Sequence, residues 1–228
     1  STFGYPILRW HGIPNVTFIH NVYAFLRWPL TLRMRLHDVF VTKYISVSQK
    51  ATEYATQVLH LPQRKIVTIP NGLILSEHQR RSQNHTPLAR ADFGLRPTDY
   101  VFLNVASYNL HKGHYLMADA MKTILKSRDD VKILCIGNEI VPAHVAELRK
   151  YLADNGLGNH MLLPGYFPNV ESFFEIADAF LLPSFIEGWS IAMNEAMYYG
   201  KPMILTDTGG SAEALAGGAG KGADTAKG

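Results

Sequence analysis

One cysteine, Cys135, is all that 228 residues hold. An internal disulfide is therefore excluded, and its position in an apolar run fits a reducing, cytoplasmic compartment. Long apolar runs are missing as well: no stretch is long enough to cross a bilayer, and none has the form of a secretory signal. Asp-x-Asp pairs do not occur, and the ten histidines show neither His-x-x-x-His nor His-Glu-x-x-His spacing. The usual sequence signatures of a magnesium or zinc site are thus absent, and no metal is expected. No repeat of solenoid period is present. Excess charge is also scarce, with 22 Lys/Arg against 19 Asp/Glu, but its distribution is uneven: residues 1–70 carry a net +6 and residues 71–228 a net −3. The basic first part either meets an anionic surface or substrate or is a solvated basic face; a nucleic-acid partner is not expected.

What is present is an alternation of apolar strands and helical segments, the pattern of a parallel α/β sheet, with 47% hydrophobic residues to fill a core. Strands are expected at Val16–His20, Tyr44–Val47 and Lys65–Ile69, separated by helices over about 29–42 and 49–59. After Pro70-Asn71-Gly72 the pattern lapses into a polar stretch, read as a linker over 76–85. Strands resume at Tyr100–Ala106, Val131–Ile136, Met161–Leu163, Ala179–Leu182 and Pro202–Thr206, with helices over about 114–126, 142–155, 170–176 and 190–199 between them. The expected domains are residues 1–75 and 86–215, with a disordered tail at 216–228. Val16–His20 reads as a buried strand with nothing before it to pair with, and the tail has little to bury, so the chain reads as incomplete at both ends.

Chemistry concentrates in the strand-to-helix turns, where an open parallel sheet binds ligands. Glu187 and Glu195 frame the stretch Glu187-Gly-Trp-Ser-Ile-Ala-Met-Asn-Glu195. Ser190 is placed to cap a helix that Gly200 ends, and the backbone N–H groups of Ser190, Ile191 and Ala192 open that helix as an anion site. Glu195, just over one turn in, leans back toward that anion. A carboxylate beside a bound anion calls for hydroxyls between them, and phosphate flanked by hydroxyls describes a nucleotide sugar. Ser107-Tyr-Asn-Leu-His-Lys112-Gly113 ends at a helix start: Lys112 reaches a diphosphate or is a loop lysine, and Gly113 leaves room for the ligand. Gly137-Asn138 lets a ligand approach backbone or is a tight turn. Thr208-Gly-Gly-Ser-Ala-Glu213 is a further turn or simply a helix cap.

Val105–Gly113, Pro183–Gly200 and Thr206–Glu213 together resemble the retaining family-4 glycosyltransferases of GT-B fold, a pair of Rossmann-like domains. The likeness runs from about Val16 to Leu215 and includes Ile45-Ser-Val-Ser48 and Ile69-Pro-Asn-Gly72. It implies that residues from about Thr86 onward bind the nucleotide sugar and that residues 1 to about 75 are the second half of an acceptor-binding domain. It also implies roles. Glu195 holds ribose hydroxyls and Glu187 hydroxyls of the transferred sugar. Lys112 and the backbone around Trp189, Ser190 and Ile191 carry the diphosphate, the base rests near Gly165-Tyr166-Phe167, and His20 faces the sugar. Ala106-Ser107 stands where the family commonly has Gly-Arg, and Glu187-Gly-Trp-Ser190 replaces the usual Glu-Gly-Phe-Gly.

By that resemblance a sugar moves to an acceptor hydroxyl with retention, by departure and attack on one face and with no cofactor. The acceptor is a glycan or lipid-linked sugar of bacterial surface polysaccharide synthesis, at the inner face of the membrane. Three rival readings stay open: a GT-B-like epimerase or phosphorylase using the same sheet, a nucleotide-sugar binder without turnover, and a membrane-surface module built on Phe25–Arg35, where Arg27, Trp28, Arg33 and Arg35 interleave with apolar residues. The missing arginine at position 107 yields a prediction. Lys112→Ala should weaken diphosphate binding far more than nucleoside binding, and Ser107→Arg should tighten diphosphate binding in calorimetry. No gain would mean that another cation already fills that space.

Overall fold

Six consecutive buried residues, Val131–Ile136, form an interior strand of the larger of two parallel sheets. In the computed structural model, which describes residues 4–22 and 28–217, the chain divides into two units. One comprises residues up to Asn71, Ile186–Ser190 and the stretch from Asp207 on; the other comprises Gly72–Phe185 and Ile191–Thr206.

The first unit opens with α1 (Gly4–Trp10), followed by strand β1 (Val16–Ile19), α2 (Trp28–His37), β2 (Lys43–Ser46), α3 (Gln49–Gln57) and β3 (Ile66–Thr68). The strands lie parallel in the order β1-β2-β3, with Phe18, Ile45 and Val67 in one row across the sheet. The opposite face is dry: Ile19 and Tyr44 pack with Val41, Ala51, Tyr54, Ala55, Leu59 and Leu61. Alternation therefore leaves Phe18 55% and Val67 43% exposed. This corrects two expectations. β1 is an edge strand with one open face rather than a buried strand, and a helix, α1, does precede it. Of Phe25–Arg35, residues 25–27 lie outside the described residues, as does the tail from 218.

α3 shows how local chemistry sets an element. Ser48 caps it by accepting a hydrogen bond from the Ala51 amide at 3.1 Å. Its first free amide, Gln49 N, donates to both carboxylate oxygens of Glu213, at 2.8 and 2.9 Å. The anion the helix dipole favours is thus supplied by the chain itself. Glu213 belongs to α9 (Ser211–Gly217), a helix that runs two residues into the tail expected to be disordered from 216.

The second unit holds α4 (Leu75–Asn84), β4 (Tyr100–Val105), α5 (His114–Ile124), β5 (Val131–Ile136), α6 (Pro142–Asp154), β6 (Met161–Gly165), α7 (Glu171–Ile176), β7 (Ala179–Leu182), α8 (Ile191–Tyr198) and β8 (Met203–Leu205). Its parallel sheet has the order β6-β5-β4-β7-β8. The chain builds outward from β4 on one side, then crosses to β7 on the other. The C-terminal ends of β4 and β7 are therefore the switch point of a doubly wound sheet. Apolar periodicity explains the covering helices: α5 buries Met117, Ala118 and Met121, and α6 buries Val145, Leu148 and Leu152. Lys132 tolerates its place in buried β5 because its ammonium donates to the Asn159 carbonyl at 2.9 Å.

α4 occupies residues that read as linker. Only His78 is buried along it, so it carries no apolar stripe. Polar ties replace one: Arg81 pairs with Glu171, Ser82 shares a hydrogen bond with Tyr199, and His85 pairs with Glu175. The second unit starts at Gly72, ahead of the expected division at 86, and leaves Ile186–Ser190 and the residues from Asp207 to the first.

Backbone meets backbone at the strand exits. A Cβ added to Gly137 would lie 1.9 Å from the Ala106 carbonyl oxygen, whereas one on Gly158 meets nothing within 4 Å. Gly137→Ala should therefore cost about 2–4 kcal/mol in denaturant unfolding, and Gly158→Ala should lie within about 0.5 kcal/mol of the parent. Equal behaviour of the two variants would show that the contact is not tight.

Candidate functional site

In the second unit the loop leaving β4 is wired to both neighbouring strand exits. The Ala106 amide donates to the Ile136 carbonyl at 2.9 Å and the Tyr108 amide to the Asn138 carbonyl at 3.0 Å. The Tyr108 ring is 2% exposed, and its hydroxyl donates to the Cys135 carbonyl at 2.8 Å while accepting from the Gly165 amide at 3.0 Å. One phenol thereby fastens β4, β5 and β6 at their C-terminal ends, and burial pushes its ionisation well up. The thiol of Cys135 is pushed up by the same cause and is inert. Nothing in the sequence marked Tyr108 beyond its place in the turn.

Lys112 follows from that wiring. A single 3₁₀ turn, Leu110–Lys112, ends at Gly113 with φ +75°, and α5 begins at once. Gly113 was expected to leave room for a ligand. A Cβ there would meet the Pro183 carbonyl oxygen at 2.2 Å, so its space is taken by the exit of β7, and its positive φ requires glycine in any case. Gly137 likewise serves the Ala106 backbone. Across the switch point Phe185 N donates to the His111 carbonyl at 2.8 Å and Asn104 Nδ2 to the Leu181 carbonyl at 2.7 Å. Lys112 is half-buried on this fixed frame. Behind it His114, 3% exposed, is driven down to about 4 chiefly by burial, and is neutral. Ser107 accepts a hydrogen bond from Asn109 Nδ2 at 2.9 Å, and Tyr166 is 62% exposed beside Gly165.

Glu195 sits in the fifth position of α8, which Gly200 closes at φ +61°. Ile191, first in the helix, is 44% exposed. Glu195 is 8% exposed, and burial raises its carboxyl to about 7, with Arg81 pulling down and Glu171 pushing up. His78 Nε2 lies 3.9 Å from Glu195 Oε1. His78, Arg81 and Glu171 were missed at the sequence level. They stand on α4 and α7, more than a hundred or about two dozen residues from Glu195, and no spacing connects them.

The first unit gathers the other candidates. The carbonyl oxygen of His20 lies 1.9 Å from where a Cβ on Gly188 would be, and the His20 ring is exposed and stacked on Phe18 at 5.3 Å. Glu187 is 8% exposed. A Cβ on Gly209, which has φ +53°, would meet the Glu187 carbonyl oxygen at 2.4 Å. The Gly210 amide donates to the Gly188 carbonyl at 2.8 Å, and Gly210 itself presses on the Trp189 ring. Asn71 Nδ2 donates to the Trp189 carbonyl at 3.2 Å. Thus Asn71 and Gly209-Gly210 both brace the 187–190 segment, while Ser48 and Glu213 meet at the start of α3. Among the described residues no three His, Cys, Asp or Glu side chains group to hold a metal ion, and no helix is long and apolar enough to cross a membrane.

Comparison with known proteins fits this geometry. The family described as Glycosyl transferases group 1 matches residues 86–223, well over half of the chain. A UDP-Gal:alpha-D-GlcNAc-diphosphoundecaprenol alpha-1,3-galactosyltransferase of Escherichia coli is 27% identical over 216 residues, covering 89% of this chain and 54% of that protein. The lipopolysaccharide core biosynthesis mannosyltransferase LpsB of Rhizobium meliloti is 28% identical over 232 residues, covering 94% and 63%. Among solved structures, Anabaena Alr3699/HepE in complex with UDP superposes with a TM-score of 0.77 at 18% identity, over 93% of this chain and 58% of that one. That likeness establishes the GT-B fold. The chain spans between half and two thirds of the length of these proteins.

The raised carboxyl of Glu195 carries a stability prediction. Its folded value, about 7, exceeds the unfolded one of 4.5. The contribution is therefore fully present below pH 4.5 and lost as pH rises through 7. Glu195→Gln should match the parent at pH 4.5 and be more stable at pH 8, by about 1–3 kcal/mol. Chemical denaturation at both pH values checks this; parallel pH profiles would show that burial does not penalise the charge.

Proposed function

The chain belongs to the group 1 glycosyl transferases, and from that membership we propose that it binds a nucleoside-diphosphate sugar and serves its transfer, with retained configuration, to an acceptor hydroxyl. The observation that carries this reading is the reversal of strand order between β4 and β7, with Lys112 on one exit loop and the two-glutamate segment following the other.

In this reading Glu195 accepts hydrogen bonds from ribose hydroxyls and Glu187 from hydroxyls of the transferred sugar. Lys112, together with the backbone amides of Trp189, Ser190 and Ile191, bears the diphosphate whose charge grows as the sugar departs. Ser107 and Asn138 border the diphosphate, and Tyr166 the base. His20 faces the sugar. No carboxylate is assigned as a covalent nucleophile, so departure and attack share one face. A lysine and a helix N-terminus neutralise the leaving group without a metal or other cofactor.

The acceptor class comes from the relatives. One acts on a GlcNAc-diphosphoundecaprenol and another builds lipopolysaccharide core. A lipid-linked or glycan acceptor of surface polysaccharide synthesis, met at the cytoplasmic face of the membrane, is the corresponding proposal.

Glu195→Ala should weaken nucleoside diphosphate and nucleotide sugar alike, by about 1.5–3 kcal/mol for a charge-assisted hydrogen bond. Glu187→Ala should spare the nucleoside diphosphate and weaken only the nucleotide sugar. Calorimetry with UDP, GDP and their sugars separates these outcomes. Equal losses of nucleoside diphosphate affinity in both variants would overturn the division of roles, and no binding by the parent chain would overturn the function.

A further inference from the structure

Two carboxylates in the second unit compete for one guanidinium. Glu171, at the start of α7, is 0% exposed, and Arg81 Nε of α4 lies 3.1 Å from its Oε1. The pair is an ion pair by distance but too bent for a hydrogen bond, so both Glu171 oxygens are buried without a donor among the described residues. Arg81 spends its other end on His78: Nη2 donates to the imidazole, 3.0 Å from Nε2 and 3.3 Å from Nδ1. His78 is 5% exposed, its ring lies 5.7 Å from that of Tyr198, and its Nε2 is the group facing Glu195 at 3.9 Å. Glu195, His78, Arg81 and Glu171 thus form one row of titratable groups from α8 through α4 to α7, buried except at the half-buried Arg81.

A buried carboxylate that receives no donor from the protein is costly to ionise. Glu195 has the nearer claim on water, being 8% exposed, whereas Glu171 has none. Arg81 lies against Glu171 and also acts on Glu195 through space. Burial and Arg81 together hold His78 below its usual range, so the imidazole adds no second positive charge at neutral pH. The groups facing this row are few: Arg81, His78 and, acting on His78, Glu77 from α4; Glu171 from α7; the Tyr198 ring from α8. Glu195 is left short of partners until a ligand brings hydroxyls.

We propose that His78, Arg81 and Glu171 are positioning residues for Glu195, dividing one guanidinium between two buried carboxylates so that binding of a nucleoside diphosphate is coupled to loss of a proton from Glu195. This rests on the reading above that Glu195 receives the ribose. The carboxylic acid, already poised near neutrality by burial, gives its proton to solvent, and the two ribose hydroxyls then donate to the carboxylate. Binding tightens as pH rises through the neutral range, by up to tenfold per pH unit below the midpoint.

Two measurements test it. The Glu195 side-chain carboxyl is titrated by carbon-13 NMR in the ligand-free chain, for the parent, Glu171→Gln and Arg81→Gln. Removing Glu171's charge should lower the Glu195 midpoint, and removing Arg81's should raise it, each by about half a pH unit or more. Glu171→Gln preserves shape and decides the matter alone if Arg81→Gln does not fold; Arg81→Lys should return the midpoint toward the parent's. Unmoved midpoints, or shifts in the same direction, overturn the charge sharing. Affinities for UDP and GDP are then compared with those of their 2′,3′-dideoxy forms from pH 5.5 to 8.5. The phosphate titrations are common to each pair, so only the ribose forms should show the extra midpoint. Midpoints that shift as expected, with parallel pH profiles for the ribose and dideoxy ligands, would overturn the coupling to binding while leaving the charge sharing in place; equal affinities of the two forms at every pH would overturn the ribose role of Glu195 as well.

Discussion

Where β4, β5 and β7 end, polypeptide backbones touch with no side chain between them. Gly137 lies on the Ala106 carbonyl and Gly113 on that of Pro183. Most of the second unit's candidate site inherits its position from this constraint. The 3₁₀ turn that presents Lys112 can close only because Gly113 takes a left-handed conformation under the β7 exit, and the turn before it is held by Tyr108 reaching two other strands. A loop proposed to bind phosphate must be stiff, because a donor group that first has to be ordered loses much of its favourable energy to entropy. Here the stiffness comes from backbone contact and one buried phenol rather than from the charged residue itself.

The glycines of the first unit tell the same story with a different result. Gly188 admits the His20 carbonyl, Gly209 admits the carbonyl of Glu187, and Gly210 admits the Trp189 ring. Residues that look from their composition like a flexible turn are the close-packed supports of the glutamate segment. Glycine here supplies space for neighbouring backbone and for the Trp189 ring.

Glu195 is surrounded by groups from three helices that act on its proton affinity, with burial raising it and Glu171 wholly buried nearby. Such an arrangement stabilises the fold weakly, since burying paired charges rarely gains energy over apolar packing. Its retention makes sense where the carboxyl is required for a ligand.

The alternation of apolar runs was enough to identify the α/β class, every strand of both sheets, and the helices with an apolar stripe, because a parallel strand buried on both faces and a helix such as α6 write their burial into neighbouring residues. The Glu187–Glu195 segment and Lys112-Gly113 were legible as parts of strand-to-helix turns, whose places the strands set. Three things were not. α4 has no stripe, since Arg81, Ser82 and His85 hold it through polar partners far along the chain. The exposed face of β1 could not be told from a buried one, as Phe18 and Val16 are as apolar as any core residue. The attachment of Gly209–Glu213 to the 187–190 segment and to α3 depends on contacts across more than 160 residues in the case of Gln49 and Glu213. Local sequence records which face of an element is apolar; which distant backbone or charge it meets is decided only when the sheets assemble, because that choice rests on shape and on single hydrogen bonds that leave no periodic trace.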